Sequence, residues 1–106
     1  MNIINNNAYI VVNASGKIEV ASADSMLYLS TIPLTSPRYI AQVSESKAYI
    51  TDWGINGVQV IDLNTNTVTS SISCGNGPEG IVVSNGYAYI CNSGGWGFDN
   101  TVSVIN

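Results

Sequence analysis

Ala8-Tyr9-Ile10, Ala48-Tyr49-Ile50 and Ala88-Tyr89-Ile90 stand 40 residues apart in a chain of 106, and that spacing decides the fold. Behind each triplet comes a second apolar alternation, Ile18-Glu19-Val20, Val58-Gln59-Val60 and Val102-Ser103-Val104, offset by 40 and then by 44. The extra four residues lie within Ser93 to Asp99. A third register follows in Thr31-Ile32-Pro33 and Ser71-Ile72-Ser73, and then a turn ending in Pro37-Arg38-Tyr39-Ile40 or Pro78-Glu79-Gly80-Ile81. So many aligned matches mark a structural repeat. Its runs are four to seven residues long, β-branched or aromatic, and punctuated by Asn, Gly, Ser and Pro, so each reads as a strand. Ser84-Asn85-Gly86-Tyr87 reads as a hairpin turn in which Asn and Gly supply positive φ, and Ser44-Glu45-Ser46-Lys47 holds its place one period earlier. Asp62 through Thr67 form a further turn, with Asp62 as its former.

Four strands per period of about 40 residues is the sequence signature of a β-propeller blade. The fold class expected is all-β, one propeller domain of four-stranded antiparallel blades with nearly three present. Residues 1–32 make a first blade with a degraded inner strand, 33–73 a second, and 74–106 a third lacking its outer strand. Ile81-Val82-Val83 reads as an inner strand buried on both faces. Closed propellers have about four to eight blades, so a single-chain ring needs roughly 160 residues or more. Each open end then exposes several hundred Å² of apolar surface. At about 25 cal/mol/Å² that forfeits several kcal/mol, comparable to a domain's whole stability of about 5–15 kcal/mol. Further blades are therefore expected, from a longer chain of its own, which is the favoured reading, or from a homo-oligomer, since two chains give about six blades.

Composition narrows the chemistry. Charged residues are 9% of the chain, and three basic against seven acidic residues give a net charge of −4. No face can then supply the phosphate-neutralising patch that nucleic acid requires. The chain has no His and two Cys, which removes the Ser-His-Asp and Cys-His pairs and the usual zinc sets. Neither a metal nor a cofactor is expected. Cys74 and Cys91 read as two unpaired buried thiols. No apolar run approaches the roughly 18 residues of a membrane span, and Met1 to Asn7 lack the basic and apolar regions of a secretory signal.

The blade Pro78 to Asn92, followed by Thr101 to Asn106, resembles the YVTN-type β-propeller repeat, and Val58 to Val68 matches the same repeat's next two strands. More narrowly, Tyr9 to Asn13 through Lys17 to Val20, then Ser36 to Ile40, is similar to the opening blades of secreted, YncE-like propeller lipoproteins of Bacteroidetes. By that resemblance, the loops after each second strand and those leading into the next blade open on one face around a central channel. Both tryptophans and the single Phe lie in these loops. Gly-flanked aromatics beside Asp and Asn are a common composition for ligand sites, while the alternative is that Trp53 and Trp96 cap the space between blades. The candidate ligand-binding residues are Arg38, Asp52, Trp53, Asn56, Glu79, Trp96, Phe98 and Asp99. Arg38 and Glu79 hold equivalent places in successive blades, where they point at a ligand or neutralise a neighbour.

No side chain offers a nucleophile with a base within reach, so no catalytic residue is assigned and the function expected is binding without catalysis. The narrower resemblance implies a parent protein that is secreted or attached to the outer-membrane surface and captures a small nutrient for a transporter, a corrinoid in at least one such relative. The alternatives are an interaction scaffold docking an envelope protein, or a fragment of an oxidoreductase or lactonase-like propeller.

Overall fold

Eleven short strands carry the period-2 pattern into antiparallel hairpins, in a computed structural model that describes residues 1–95, 97 and 99–106. β1 (Asn2–Ile4), β2 (Asn7–Val12), β3 (Lys17–Ser22) and β4 (Tyr28–Pro33) form the first sheet. The second holds β5 (Pro37–Ser44), β6 (Lys47–Asp52), β7 (Gly57–Asp62) and β8 (Thr67–Ser73), and the third β9 (Pro78–Ser84), β10 (Tyr87–Asn92) and β11 (Val102–Ile105). In each sheet neighbours in sequence are neighbours in space, and every pairing is antiparallel. The sheets touch through their first and second strands, β1 and β2 against β5, and β5 and β6 against β9. First strands therefore converge while the outer strands splay. This is the geometry of propeller blades set around an axis, here an open arc of them.

The turns explain the wealth of Asn. Apart from Met26, every described non-glycine residue with positive φ is an Asn: Asn5, Asn6, Asn56, Asn66 and Asn85, the residue type whose short amide best tolerates that region. Asn85 and Gly86, at φ 51° and 81°, make the expected tight hairpin between β9 and β10. Asn5 and Asn6 do the same between β1 and β2. Glu45 and Ser46 lack positive φ, and that hairpin is accommodated by a register shift between Gln42 and Ser44. Asp62 accepts the Asn64 N–H at 2.8 Å, which is the turn-forming role read from the sequence.

Strand alternation sends each sheet's side chains to two faces, one toward the preceding sheet and one toward the following sheet. On the following side of the first sheet, Tyr9, Ile18, Val20 and Ile32 are buried with Ile40, Ala48, Ile50 and Ile61 of the second. At the next junction Tyr49, Val58 and Val60 are buried with Ala88 and Ile90 of the third. The repeated triplet thus has a mechanical meaning. Its Tyr faces the next sheet, and its flanking Ala and Ile receive the Tyr of the sheet before. Tyr9 also donates its hydroxyl to Asn66 Oδ1 at 2.7 Å, tying it to the β7–β8 turn, and burial pushes its pKa up, with Asn7 partly offsetting.

Two expectations are corrected here. Cys74 and Cys91 are free thiols, but only Cys74 is partly buried and Cys91 is exposed. Val82, expected to be buried on an inner strand, is 64% exposed. The reason is common to both. They lie on the face of the third sheet that has no sheet over it, whereas the opposite face, with Ala88 and Ile90, is covered by the second sheet.

Candidate functional site

Antiparallel meanders place alternate connections at the same end of the sheets. The tight hairpins gather at one end, where Asn5 Nδ2 donates to the Glu45 carbonyl at 2.8 Å. The connections from each second strand to the third, and those from one sheet to the next, gather at the other end and are stitched into a continuous rim. Leu34 N–H donates to Gly16 O at 2.8 Å, Trp53 N–H to Ser36 O at 3.0 Å, Cys74 N–H to Asn56 O at 2.9 Å and Ser93 N–H to Gly77 O at 2.8 Å. Gly77 is required in this rim: its φ is +60°, and a Cβ there would land on the backbone of Gly94 and Gly95.

The rim brings together Arg38, Glu79 and Trp53. Arg38 Nε donates to Glu79 Oε1 at 2.7 Å and Nη2 to Oε2 at 3.5 Å, and the guanidinium lies 4.7 Å from the centre of the Trp53 ring. Pro37 and Pro78, both fully buried, set the start of β5 and β9, so the residues that follow them face one another across the first strands. With side chains 30% and 20% exposed, the pair is shielded but reachable. A shallow cleft of about 260 Å³, lined by Asn13, Ala14, Ser36, Arg38 and Trp53, opens beside it. A second cleft, of about 270 Å³, is lined by Arg38 with Met1, Asn2, Val11, Asn13, Tyr39 and Ile40. A third, of about 240 Å³, is lined by Trp53, Asn56, Asn76, Gly77 and the glycines of the β10–β11 connection.

The three remaining described candidates hold the rim in place. Asp52 is fully buried, and its carboxylate accepts the N–H groups of Ser36 and Gly54 at 2.8 Å and of Thr35 at 3.1 Å. It fixes the loop on which Ser36 and Arg38 stand and does not face the clefts. Asn56 accepts the Gly77 N–H at 3.0 Å, joining two successive connections. In the third sheet the position 40 residues after Asp52 is Asn92, whose amide nitrogen donates to Thr101 Oγ1 and Ser103 Oγ at 3.1 and 2.9 Å. Asp99 there takes over the loop-holding role, accepting the Asn76 N–H at 2.8 Å and the Thr101 N–H at 2.9 Å, besides the Thr101 hydroxyl. These bonds, the Thr101 hydroxyl first, hold its carboxyl below the ordinary aspartate value. Trp96 and Phe98 lie outside the described residues. Asn13, Ser36 and Tyr39 adjoin the clefts although the sequence reading did not single them out as site residues; Asn13 and Ser36 stand in connections at Arg38's end of the sheets, and Tyr39 follows Arg38 in β5.

Among the described residues no three His, Cys, Asp or Glu side chains gather to hold a metal, and no helix is long and apolar enough to cross a membrane.

Fold and rim together define the class: an incomplete β-propeller with a loop-built end. Comparison with known proteins agrees at that level. The structure is similar to hydrazine synthase of Kuenenia stuttgartiensis, with a TM-score of 0.86 over 100% of this chain, at 21% sequence identity. That likeness concerns the fold alone. In sequence, the chain is 50% identical over 48 residues, 45% of its length, to the PE-PGRS family protein PE_PGRS18 of Mycobacterium tuberculosis. The chain spans 31% of the hydrazine synthase chain and 10% of the mycobacterial protein. No protein-family model matches it.

Proposed function

We propose that the chain is a YVTN-type propeller segment with a non-catalytic binding role, in a cell-surface protein that captures a small nutrient at the loop end. The observation that carries this reading is the Arg38–Glu79–Trp53 cluster beside its cleft. It offers an aromatic face, a shielded charge pair and the polar groups of Asn13 and Ser36, which is the mixture small-molecule sites use. Six of the seven carboxylates already accept hydrogen bonds: Asp52, Asp62 and Asp99 from backbone N–H groups, Glu79 from Arg38, Glu19 from Thr31 and Asp24 from Asn6.

The nutrient class follows from the lipoprotein resemblance, so the first probe is cyanocobalamin. Isothermal titration calorimetry of the chain should give saturable heat that is reduced in Arg38→Ala and Trp53→Phe. Saturable heat unchanged by either substitution would remove the site, and no heat at all would remove the corrinoid. A chain that instead binds only a protein at this rim would be the scaffold of the alternative reading.

A further inference from the structure

An asparagine followed by glycine is open to attack by its own main chain, because glycine has no Cβ to obstruct the approach of its nitrogen. The chain holds three such pairs, Asn56-Gly57, Asn76-Gly77 and Asn85-Gly86. For the attack, the peptide group between the two residues must turn as one plane until the glycine nitrogen faces the asparagine Cγ. Whatever pins that peptide group therefore decides which asparagine reacts.

The rim pins two of them. The Asn56 carbonyl accepts the Cys74 N–H at 2.9 Å, and Gly57 is buried as the first residue of β7, paired with Asp52 on one side and Ser73 on the other. The Asn76 carbonyl accepts the Gly94 N–H at 2.9 Å. Gly77 is buried against the backbone of Gly94 and Gly95, and its nitrogen donates to Asn56 Oδ1 at 3.0 Å. That one bond restrains both pairs, since it engages the side-chain amide of Asn56 and the nitrogen that would attack Asn76.

Asn85-Gly86 stands at the hairpin end of the sheets with no such restraint. Ser84, Asn85, Gly86 and Tyr87 are all exposed, and a Cβ built on Gly86 would meet no atom within 4 Å. Among the described residues, neither the peptide group between Asn85 and Gly86 nor the Asn85 side chain has a hydrogen-bond partner.

We propose that Asn85 is a site of spontaneous covalent modification, converted to aspartate and isoaspartate with water as the co-reactant. The Gly86 nitrogen, its proton lost to hydroxide, bonds to Asn85 Cγ. The bond from Cγ to the side-chain nitrogen breaks, and that nitrogen takes a proton from water and leaves as ammonia, which closes a succinimide ring. Water then opens the ring. Breaking the bond from Cγ to the Gly86 nitrogen restores the main chain with aspartate, while breaking the bond from the Asn85 carbonyl carbon to that nitrogen leaves the chain running through Cγ as isoaspartate. Either product adds one negative charge to the −4 of the chain. Aspartate tolerates the φ of 51° at this position and keeps the tight hairpin. Isoaspartate lengthens the main chain by one carbon inside the loop that sets the Ser84–Tyr87 register, and so loosens β9 from β10.

The test is peptide mapping by mass spectrometry of the whole 106-residue chain held at mildly alkaline pH, in one sample folded and in another in urea. Far-UV circular dichroism confirms the strands in the first, and an isoaspartyl methyltransferase labels the isomerised product. In the folded chain Asn85 should convert at least about tenfold faster than Asn56 or Asn76, whose hydrogen bonds must open first. In urea the three rates should draw together. Comparable rates at the three sites of the folded chain, faster conversion at Asn56 or Asn76, or an Asn85 left intact overturns the proposal. So does a preference for Asn85 that persists unchanged in urea, because the neighbouring residues and not the fold would then set it.

Discussion

Tyr49 and Tyr89 occupy the same place in the repeat but differ in cover, so truncating each to Ala should weaken the chain by different amounts. Tyr49 is 7% exposed and Tyr89 41%. A tyrosine encloses about 200 Å² when buried, so the difference of about one third is about 70 Å², or about 1.7 kcal/mol at 25 cal/mol/Å². Tyr49→Ala also leaves a void facing Val58, Val60, Ala88 and Ile90, whereas truncation at Tyr89 opens only to solvent. With the cavity included, Tyr49→Ala should cost about 2–3 kcal/mol more than Tyr89→Ala. Urea titration followed by far-UV circular dichroism measures this, in dilute solution, and m-values should match that of the unmodified chain. Equal losses, or a larger loss at Tyr89, would refute the assignment of which face each sheet turns to its neighbour.

Asp52→Ala strands three backbone N–H groups and should cost about 3 kcal/mol or more in urea unfolding, with Asp52→Asn intermediate because one acceptor oxygen survives. Asp99 has a lowered pKa in the folded chain, so its hold on the Asn76 N–H is fully present above the ordinary value of 3.8 and is lost as pH falls through the lower folded value. The Asn76 amide shift should titrate below 3.8 and lose that transition in Asp99→Asn; a midpoint at or above 3.8 would contradict the bonding. In dilute solution a thiol reagent near neutral pH should modify Cys91 first and Cys74 slowly, because burial raises the Cys74 thiol, with Ser103 opposing, and the thiolate is the nucleophile. Equal rates would put Cys74 at the surface.

The sequence was most legible where one rule controls the outcome. The 40-residue recurrence, the strand alternation and the Asn85-Gly86 turn are local patterns, and they led directly to stacked antiparallel sheets. Burial of the third sheet was misread because a strand's own residues do not say whether another sheet lies over them, which is why Val82 and Cys91 are exposed. At the candidate site, the equivalent placing of Arg38 and Glu79 with opposite charge was visible, and their distance of 2.7 Å makes them partners. The role of Asp52 was readable in part. Its bond to the N–H two residues on, at Gly54, has the pattern that identified Asp62 as a turn former. What hid the rest is that Thr35 and Ser36 reach Asp52 from a connection 17 and 16 residues away.

The central claim is that each sheet of the repeat packs its Tyr-bearing face on the Ala-x-Ile face of the next. Nuclear Overhauser contacts in the isotope-labelled chain test it most directly. The account predicts cross-peaks linking the Tyr49, Val58 and Val60 side chains to Ala88 and Ile90, and a Tyr89 ring without such long-range partners in dilute solution. Cross-peaks from Tyr49 to Ile3 or Ile10 in their place, or none beyond its own sheet, would contradict the stacking on which the propeller architecture rests.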